Sequence, residues 1–338
     1  MASRSAATMR DVAGRAGVSI KTVSNVINDF PMVRQETRAR VEAAIAELGY
    51  QVNITARNLR RGRSGMVGLA VPELNVPYFA ELADSVMKAA DAHGLRVLIE
   101  QTGAEREREL AVLGSELRLV TDGLMFSPLA LGQDDIEHLN VNYPLVLLGE
   151  RMFGGPNDHV TMSNVEGART ATRHLIELGR RRIAVIGSHP GEVVGSAALR
   201  LEGYRLALQD AGLPFDPALL AEAGPWHLKT GADAMNALFD SGVHLDAVFG
   251  FNDAMAIGAL HVLHQRRVRV PEEVAVIGFD SVQESEYMSP PLSSIDPGRE
   301  EIAETAVRML LERVDGYEGA PRLVLTHQHV VARTSTVG

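Results

Sequence analysis

Residues 8–28 read TMRDVAGRAGVSIKTVSNVIN. Thr8 and Asp11 have the spacing of a capping box, with Thr8 capping a helix and Asp11 reaching back. Val12, Ala13 and Ala16 give that helix a small apolar face, and Gly17 can take the left-handed conformation that ends it. Val18 fills the turn and Ser19 caps a second helix. In the second helix Val23, Val26 and Ile27 point inward, leaving Ile20, Lys21, Ser24, Asn25 and Asn28 outside. Lys21, Asn25 and Asn28 follow i, i+4, i+7 and share one stripe. Two short helices joined by a Gly-Val-Ser turn make a helix-turn-helix, which seats its second helix in the major groove of DNA. Lysine can donate to guanine O6 and N7, Ile20 can meet a thymine methyl, and Asn25 can pair with adenine or hold a phosphate.

Working outward, Val41, Ile45 and Leu48 repeat at helical spacing, and Gly49 closes a third helix over Gln35–Leu48. Charge supports the same reading. Residues 1–64 carry 11 Lys and Arg against 5 Asp and Glu, a net +6, whereas the remainder carries −16. A basic head on an acidic body suits binding to phosphates through one end.

The pattern DVAxxAGVSxxTVSxVIN followed by TRxRVxxAIxELGY resembles the lactose-repressor (LacI) family of bacterial transcription regulators. The resemblance extends along the whole chain and implies a dimer acting on a near-palindromic operator under the control of a small ligand. Residues 1–50 then form the head and residues 51–64 a hinge. In the family a hinge helix folds on DNA and pushes a leucine into the minor groove, kinking the duplex. Leu59 is the matching residue, Ala56 allows close helix approach, Asn53 can cap the short helix, and Arg57 lies near phosphate. One departure is that Val52 stands where the family usually has a proline. The expected DNA-contacting set is Thr8, Ser19, Ile20, Lys21, Thr22, Ser24, Asn25 and Asn28 in the head, and Asn53, Ala56, Arg57 and Leu59 in the hinge.

From residue 66 the pattern changes to alternating apolar strands and helices. Strands are expected over Met66–Val71, Leu95–Gln101, Leu124–Ser127 and Leu145–Leu148. A second series follows over Ile183–Gly187, Ala247–Gly250 and Val274–Phe279. Helices are expected over Phe79–Ala92, Glu105–Val120, Gly167–Leu178, Arg200–Ala211, Asp253–His264 and Arg299–Asp315. Continuous apolar strands between helices indicate parallel sheets covered on both faces. The fold class is α/β: two doubly wound subdomains with a cleft between them, which under the resemblance is the type I periplasmic-binding-protein architecture. The expected subdomains are residues 65–165 with 296–322, and residues 166–295 with 323–338, so that Leu323–Thr326 and His329–Arg333 finish in the second.

Ligands bind such folds at the carboxyl ends of strands and between subdomains. Phe79, Arg200, Asn252 and Asp280 lie just after strands or at helix starts, and Trp226, the only tryptophan, sits in a Gly-Pro loop. Arginine offers a planar fork to vicinal hydroxyls, Asp and Asn exchange hydrogen bonds with them, and aromatic faces cover the apolar side of a sugar ring. The resemblance implies effector contacts at Arg200, Asn252 and Asp280, with Phe79 and Trp226 as walls. The bland alternatives are an ion-pairing Arg200, an Asp280 that caps a turn, a Trp226 plug, and an Asp253 that caps its helix. The REREL stretch from Arg106 to Leu110 reads as a solvated helix face, and Glu150-Arg151 can reach the cleft.

Other classes fit less well. With 338 residues and 46% hydrophobic content, two or three globular domains are expected. There is no cysteine, so disulfides, thiolate metal sites and cysteine nucleophiles are excluded. No P-loop, nucleophile elbow or zinc-protease motif appears, so no enzyme and no cofactor are expected. The pairs His261/His264 and His327/His329 lack further ligands, so no metal is expected. The first thirty residues hold no apolar h-region and no run is long enough to span a bilayer, which points to the cytoplasm rather than to an exported solute-binding protein. The absence of a heptad extension after the last strand points to a dimer.

Overall fold

The computed structural model describes residues 7–27, 30–50, 63–115 and 117–338. The chain divides into two compact units, residues 1–64 and residues 65–338.

The first unit contains α1 (Met9–Ala16), α2 (Ile20–Ile27) and α3 (Gln35–Leu48). The capping box is closed from both sides: Thr8 N–H donates to Asp11 Oδ2 at 2.8 Å, and Asp11 N–H donates to Thr8 Oγ1 at 3.3 Å. Gly17 takes φ +63°, and the Val18 N–H closes the turn on Ala13 O at 3.0 Å. Ser19 Oγ accepts the Thr22 N–H at 3.1 Å and caps α2. Val12, Val23 and Val41, one from each helix, are fully enclosed at the centre. A bundle this small buries little apolar area, so the Arg15–Glu47 pair between α1 and α3 adds a surface tie.

The second unit holds two six-stranded sheets. The first contains β1 (Met66–Val71), β2 (Arg96–Gln101), β3 (Leu124–Phe126), β4 (Leu145–Leu148) and β5 (Asp158–Met162), with β11 (Leu323–Thr326) at its edge. Its order is β11-β5-β4-β3-β1-β2, and every pairing is parallel. Side chains alternate across it as the pleat requires. Val67, Leu69, Met125, Val146 and Leu148 enter the main core, while Ala70, Leu124, Phe126, Leu145 and Leu147 enter a smaller one on the opposite face. Helix α4 (Pro77–Asp91) lies on one face, and α5 (Arg106–Gly114) and the short α6 (Leu117–Val120) help cover the other.

The second sheet contains β6 (Ile183–Ser188), β7 (Leu220–Glu222), β8 (Ala247–Gly250), β9 (Ala275–Phe279), β10 (Ser293–Asp296) and β12 (His329–Val331). Its order is β12-β10-β9-β8-β6-β7, antiparallel only between β10 and β12. Around it pack α7 (Asn164–Glu177), α8 (Ser196–Asp210), α9 (Leu228–Asp240) and α10 (Asp253–Gln265). Helices α9 and α10 meet at glycines. A Cβ on Gly231 would lie 2.4 Å from Met255 O, and one on Gly258 would lie 2.2 Å from Leu228 O. The short α11 (Gln283–Glu286) follows β9, and α12 (Arg299–Val314) packs on α4, β3, β4 and β5 of the first sheet.

The chain passes between the sheets after β5, after β10 and after β11. The last crossing differs from the sequence expectation. Leu323–Thr326 pairs parallel with β5 in the first sheet, so the first subdomain extends through residue 326 and not only 322. The reason is Asp158, which opens β5 and whose segment reads as loop because it begins with Asp-His. Its enclosed carboxylate is gripped by Arg313 and Arg322, with the Arg322 N–H donating at 2.9 Å, and this draws the end of α12 and the start of β11 alongside β5. The Glu105–Val120 helix also differs, being two pieces, α5 and α6.

Although burial opposes it, the arginine partners hold the Asp158 carboxyl down at about 2. This stabilisation is therefore complete above the ordinary value of 3.8 and is lost as pH falls through about 2. Asp158→Ala is expected to lower stability at neutral pH by about 2–4 kcal/mol, because it removes the enclosed carboxylate that Arg313 and Arg322 share. Denaturant unfolding should show the loss, with the gap to the parent shrinking towards pH 2; an unchanged midpoint at pH 7 would rule out the role.

Candidate functional site

On the head, Ile20 is 41% exposed and Lys21 is exposed beside it at the start of α2, while Thr22, Ser24 and Asn25 are half-buried. The N-terminal end of α2 and the start of α3 form an open polar concavity lined by Ser19, Thr22, Asn25, Arg34, Thr37 and Arg40. The Ser19 and Thr22 hydroxyls lie 2.9 Å apart there. Thr8 is exposed at the start of α1 and is engaged with Asp11. Asn28 and the hinge candidates Asn53, Ala56, Arg57 and Leu59 lie outside the described residues.

In the body, the cleft between the two sheets holds a partly open cavity of about 650 Å³. Its walls are the loops at the carboxyl ends of the parallel strands, where an open α/β sheet leaves a crevice. Phe79, Arg200, Trp226, Asn252 and Asp280 all line it.

Arg200, on α8, is 3% exposed. A guanidinium this enclosed must find acceptors. Its Nε–H donates to Asn164 Oδ1 at 2.7 Å, one terminal nitrogen to Phe251 O, and the other to Met162 Sδ at 3.1 Å. Its plane stacks on Phe279, 3.7 Å from the ring centroid, and faces Trp226 at 5.3 Å. One N–H on each terminal nitrogen remains, and the Asp280 carboxylate lies 3.9 Å away. Burial lowers the Arg200 pKa from its ordinary value, against the pull of Asp280 and Glu150. Burial also lifts the Asp280 carboxyl well above the usual carboxylate range, against Arg200. Asp280 has φ +113°, a region costly for a residue with a side chain. Its N–H donates to Ile295 O at 2.9 Å and its carbonyl accepts from Arg299 at 3.0 Å, which hold it there.

Asn252 caps α10, accepting the Met255 N–H at 2.9 Å, and its amide nitrogen donates to Trp226 O at 3.1 Å. Capping therefore falls to Asn252 and not to Asp253. Asp253 is enclosed and accepts from Val282 N–H at 2.9 Å, Ser285 Oγ at 2.7 Å and Ser294 Oγ at 2.5 Å. It anchors the loop that carries Asp280. Burial raises its carboxyl to about 6 in spite of these donors. A Cβ on Gly278 would fall 2.1 Å from Asp253 Oδ1, so this strand end requires glycine. Phe79 stands edge-on to Tyr78 with centroids 5.2 Å apart, and Trp226 is tilted against Phe251.

Further residues join the cavity lining. Tyr78 faces Asp280, Glu150 and Arg200, and burial keeps its phenol protonated. Glu150 and Arg151, at the end of β4, do line the cavity. Polar links join the two subdomains across the cleft. Glu73 pairs with His227 at 2.9 Å, Arg151 with Glu192 at 3.1 Å, and Ser196 donates to Glu150. Glu81 on α4 accepts the Gln283 N–H at 2.7 Å. The signal available was position alone, since Glu73, Glu150 and Arg151 all follow apolar strands.

The REREL stretch requires a correction. Glu109 is 0% exposed, and its carboxylate accepts backbone N–H groups from Leu129 at 2.7 Å, Ala130 at 3.0 Å and Leu131 at 2.8 Å. It shapes the loop after β3, whose Pro128 and Leu129 line the cavity. His261 and His264 show no metal arrangement, His327 pairs with Glu301, and no group of three or more ligating side chains occurs among the described residues.

Residues 8–53 match the model of the lacI family of bacterial regulatory proteins, and residues 172–336 match the periplasmic binding protein-like domain. The ribose operon repressor of Escherichia coli (strain K12) is 34% identical over 310 residues, 91% of this chain and 93% of the repressor. This chain belongs to the lacI family of bacterial regulatory proteins. The solved complex of the regulator CelR with cellobiose is 33% identical, with a TM-score of 0.71 over 97% of this chain and 99% of CelR. The lac repressor dimer bound to operator and the anti-inducer ONPF is 27% identical, with a TM-score of 0.82 over 99% of this chain and 100% of that one. The protein is thus a ligand-responsive, DNA-binding transcriptional repressor and not an enzyme. No helix among the described residues is long and apolar enough to cross a membrane.

Glu109→Ala removes the acceptor for three backbone N–H groups. It is expected to lower stability by about 2–3 kcal/mol and to speed amide hydrogen exchange at residues 129–131; unchanged exchange there would remove Glu109 from the site's framework.

Proposed function

We propose that the protein is a homodimeric, cytoplasmic repressor of genes for a sugar or related metabolite, binding a near-palindromic operator. The head supplies major-groove contacts through Ile20, Lys21 and Asn25, with Thr8, Ser19, Thr22, Ser24 and Asn28 on phosphates and groove edges. In the hinge, Leu59 enters the minor groove, with Asn53, Ala56 and Arg57 supporting it. The effector lies in the cleft against Arg200, Asn252 and Asp280, between the faces of Phe79 and Trp226.

The observation that carries the reading is the pairing of two devices in one chain. One is a capped helix-turn-helix with Ile20 and Lys21 exposed at its reading end. The other is a strand-end cavity that joins carboxyl groups, the Asn252 amide and aromatic faces. That set suits hydroxyl-rich ligands. The relatives support it in kind, since CelR was solved with cellobiose and the lac repressor as an operator-bound dimer. The ligand favours one relative orientation of the subdomains, and that orientation alters the spacing of the two hinges.

Lys21→Ala is expected to cost about 1–3 kcal/mol at the specific operator and to relax base preference there. Selection from random DNA followed by titration checks this, and unchanged selectivity would exclude Lys21 as a reader. Leu59→Ala is expected to reduce operator bending while leaving ligand binding intact; parental bending would make the hinge a plain linker. Asp280→Ala is expected to abolish the ligand response while DNA binding by the head persists, and a normal response would remove Asp280 from the site.

A further inference from the structure

Two consecutive residues after β9 stand in backbone conformations that side chains resist. Asp280 has φ +113° and Ser281 has φ +47°. Neither is glycine, so such a stretch persists only where its surroundings impose it. Part of the restraint comes from the second subdomain, to which the stretch itself belongs. Asp280 N–H donates to Ile295 O at 2.9 Å, Ser281 N–H to Ser294 Oγ at 3.0 Å and Val282 N–H to Asp253 Oδ2 at 2.9 Å. The rest comes from the first subdomain. Arg299 donates from one terminal nitrogen to Asp280 O at 3.0 Å, and its other terminal nitrogen pairs with Glu81 Oε2 at 2.5 Å. The second oxygen of Glu81 accepts the Gln283 N–H at 2.7 Å. Glu81 and Arg299 thus clasp both ends of the strained stretch, the carbonyl of residue 280 and the N–H of residue 283.

The clasp is built on elements that also shape the cavity. Glu81 lies on α4, two residues beyond the cavity-lining Phe79, and Arg299 opens α12, which packs on α4. Arg299 follows directly on a passage between the sheets. Gly298 before it has φ +77°, and a Cβ there would lie 2.6 Å from His327 O, on the passage after β11. Arg299 Nε is enclosed and has no partner among the described residues, so the guanidinium holds Glu81 and Asp280 O while leaving one donor unmet. Charge assistance makes the Glu81 contacts the strong ones of the set.

We infer that Glu81 and Arg299 are positioning residues for Asp280: holding residues 280–283 from the first subdomain, they make the aim of the Asp280 carboxyl into the cavity depend on where α4 sits. A group bound by Asp280 is then held fully only in the arrangement that keeps the clasp closed. That supplies the differential affinity through which a ligand favours one arrangement. The inference rests on the reading of Asp280 as an effector contact.

The test is residue-resolved amide hydrogen exchange on the full chain, free and saturated with an operator selected from random DNA. In Glu81→Ala, the amides of Ser281 and Val282 are expected to exchange about tenfold faster, although their own acceptors are untouched. Faster exchange at Gln283 alone would make Glu81 a local cap and overturn the inference. In the parent, operator is expected to change exchange across residues 281–283 by about threefold, and Glu81→Ala to erase that difference. No operator effect in the parent, or one that persists in Glu81→Ala, would also overturn it. Exchange at Val185 and Ile186 in β6 reports global stability; if it rises too, Glu81→Gln, which keeps the shape and loses the charge, takes the place of Glu81→Ala under the same criteria. These measurements need no ligand. A failure of the effector-contact reading, shown by a normal ligand response in Asp280→Ala, is therefore told apart from a failure of the clasp.

Discussion

An arginine removed from water sets the terms for the rest of the body. The Arg200 guanidinium is enclosed, and an unpaired charge there would be far too costly to keep. Each of its partners comes from a different piece of chain. Met162 ends the last strand before the first crossing between sheets, and Asn164 begins the helix after it. Phe251 follows β8, and Phe279 and Asp280 follow β9. One side chain thereby gathers the crossing and two strand ends into a single polar floor. The hydrogen-bonding capacity left over, on Arg200, on Asp280 and on the amide of Asn252, is what the cavity offers to a ligand.

Around that floor, the links across the cleft are individually weak. Glu73 with His227 and Arg151 with Glu192 are partly exposed pairs, of a type worth about 1 kcal/mol or less. Further contacts span the two halves, among them the Glu81 carboxylate accepting the Gln283 N–H and Arg299 donating to Asp280 O, and three passages of chain connect the sheets. A ligand that touches both walls shifts the balance between open and closed arrangements by its differential affinity for the two. A rigid single-sheet domain would have no comparable pair of arrangements.

Much of this was legible in the sequence where chemistry and period agree. The head could be read almost residue by residue because Thr8, Asp11, Gly17 and Ser19 each perform a local task whose spacing is fixed by helix geometry. The strands MVGLAV, LVLL and IAVIG are legible because burial on both faces demands continuous apolar runs. Strand β5 is not, because Asp158 and His159 are polar and their burial depends on arginines more than 150 residues away. The placement of β11 failed with it. Helix α9 escaped because Gly231, which α10 requires for close approach, dilutes its pattern. Glu109 was taken for solvent-facing because its partners are backbone N–H groups of a distant loop, and no local period reports them. Four of the effector candidates stand out by position after strands or at helix starts and Trp226 as the only tryptophan in a Gly-Pro loop, whereas Glu73 and His227 needed the fold to bring them together.

The central claim is that occupancy of the cleft and binding of DNA are coupled through the body. It is tested most directly by a closed thermodynamic cycle. Operator affinity is measured by fluorescence anisotropy with and without saturating saccharide, and saccharide affinity by Trp226 fluorescence with and without saturating operator. The account predicts that both affinities change and do so by the same factor, as linkage between two sites requires. Saccharide binding that leaves operator affinity unchanged, with operator likewise leaving saccharide affinity unchanged, would contradict it.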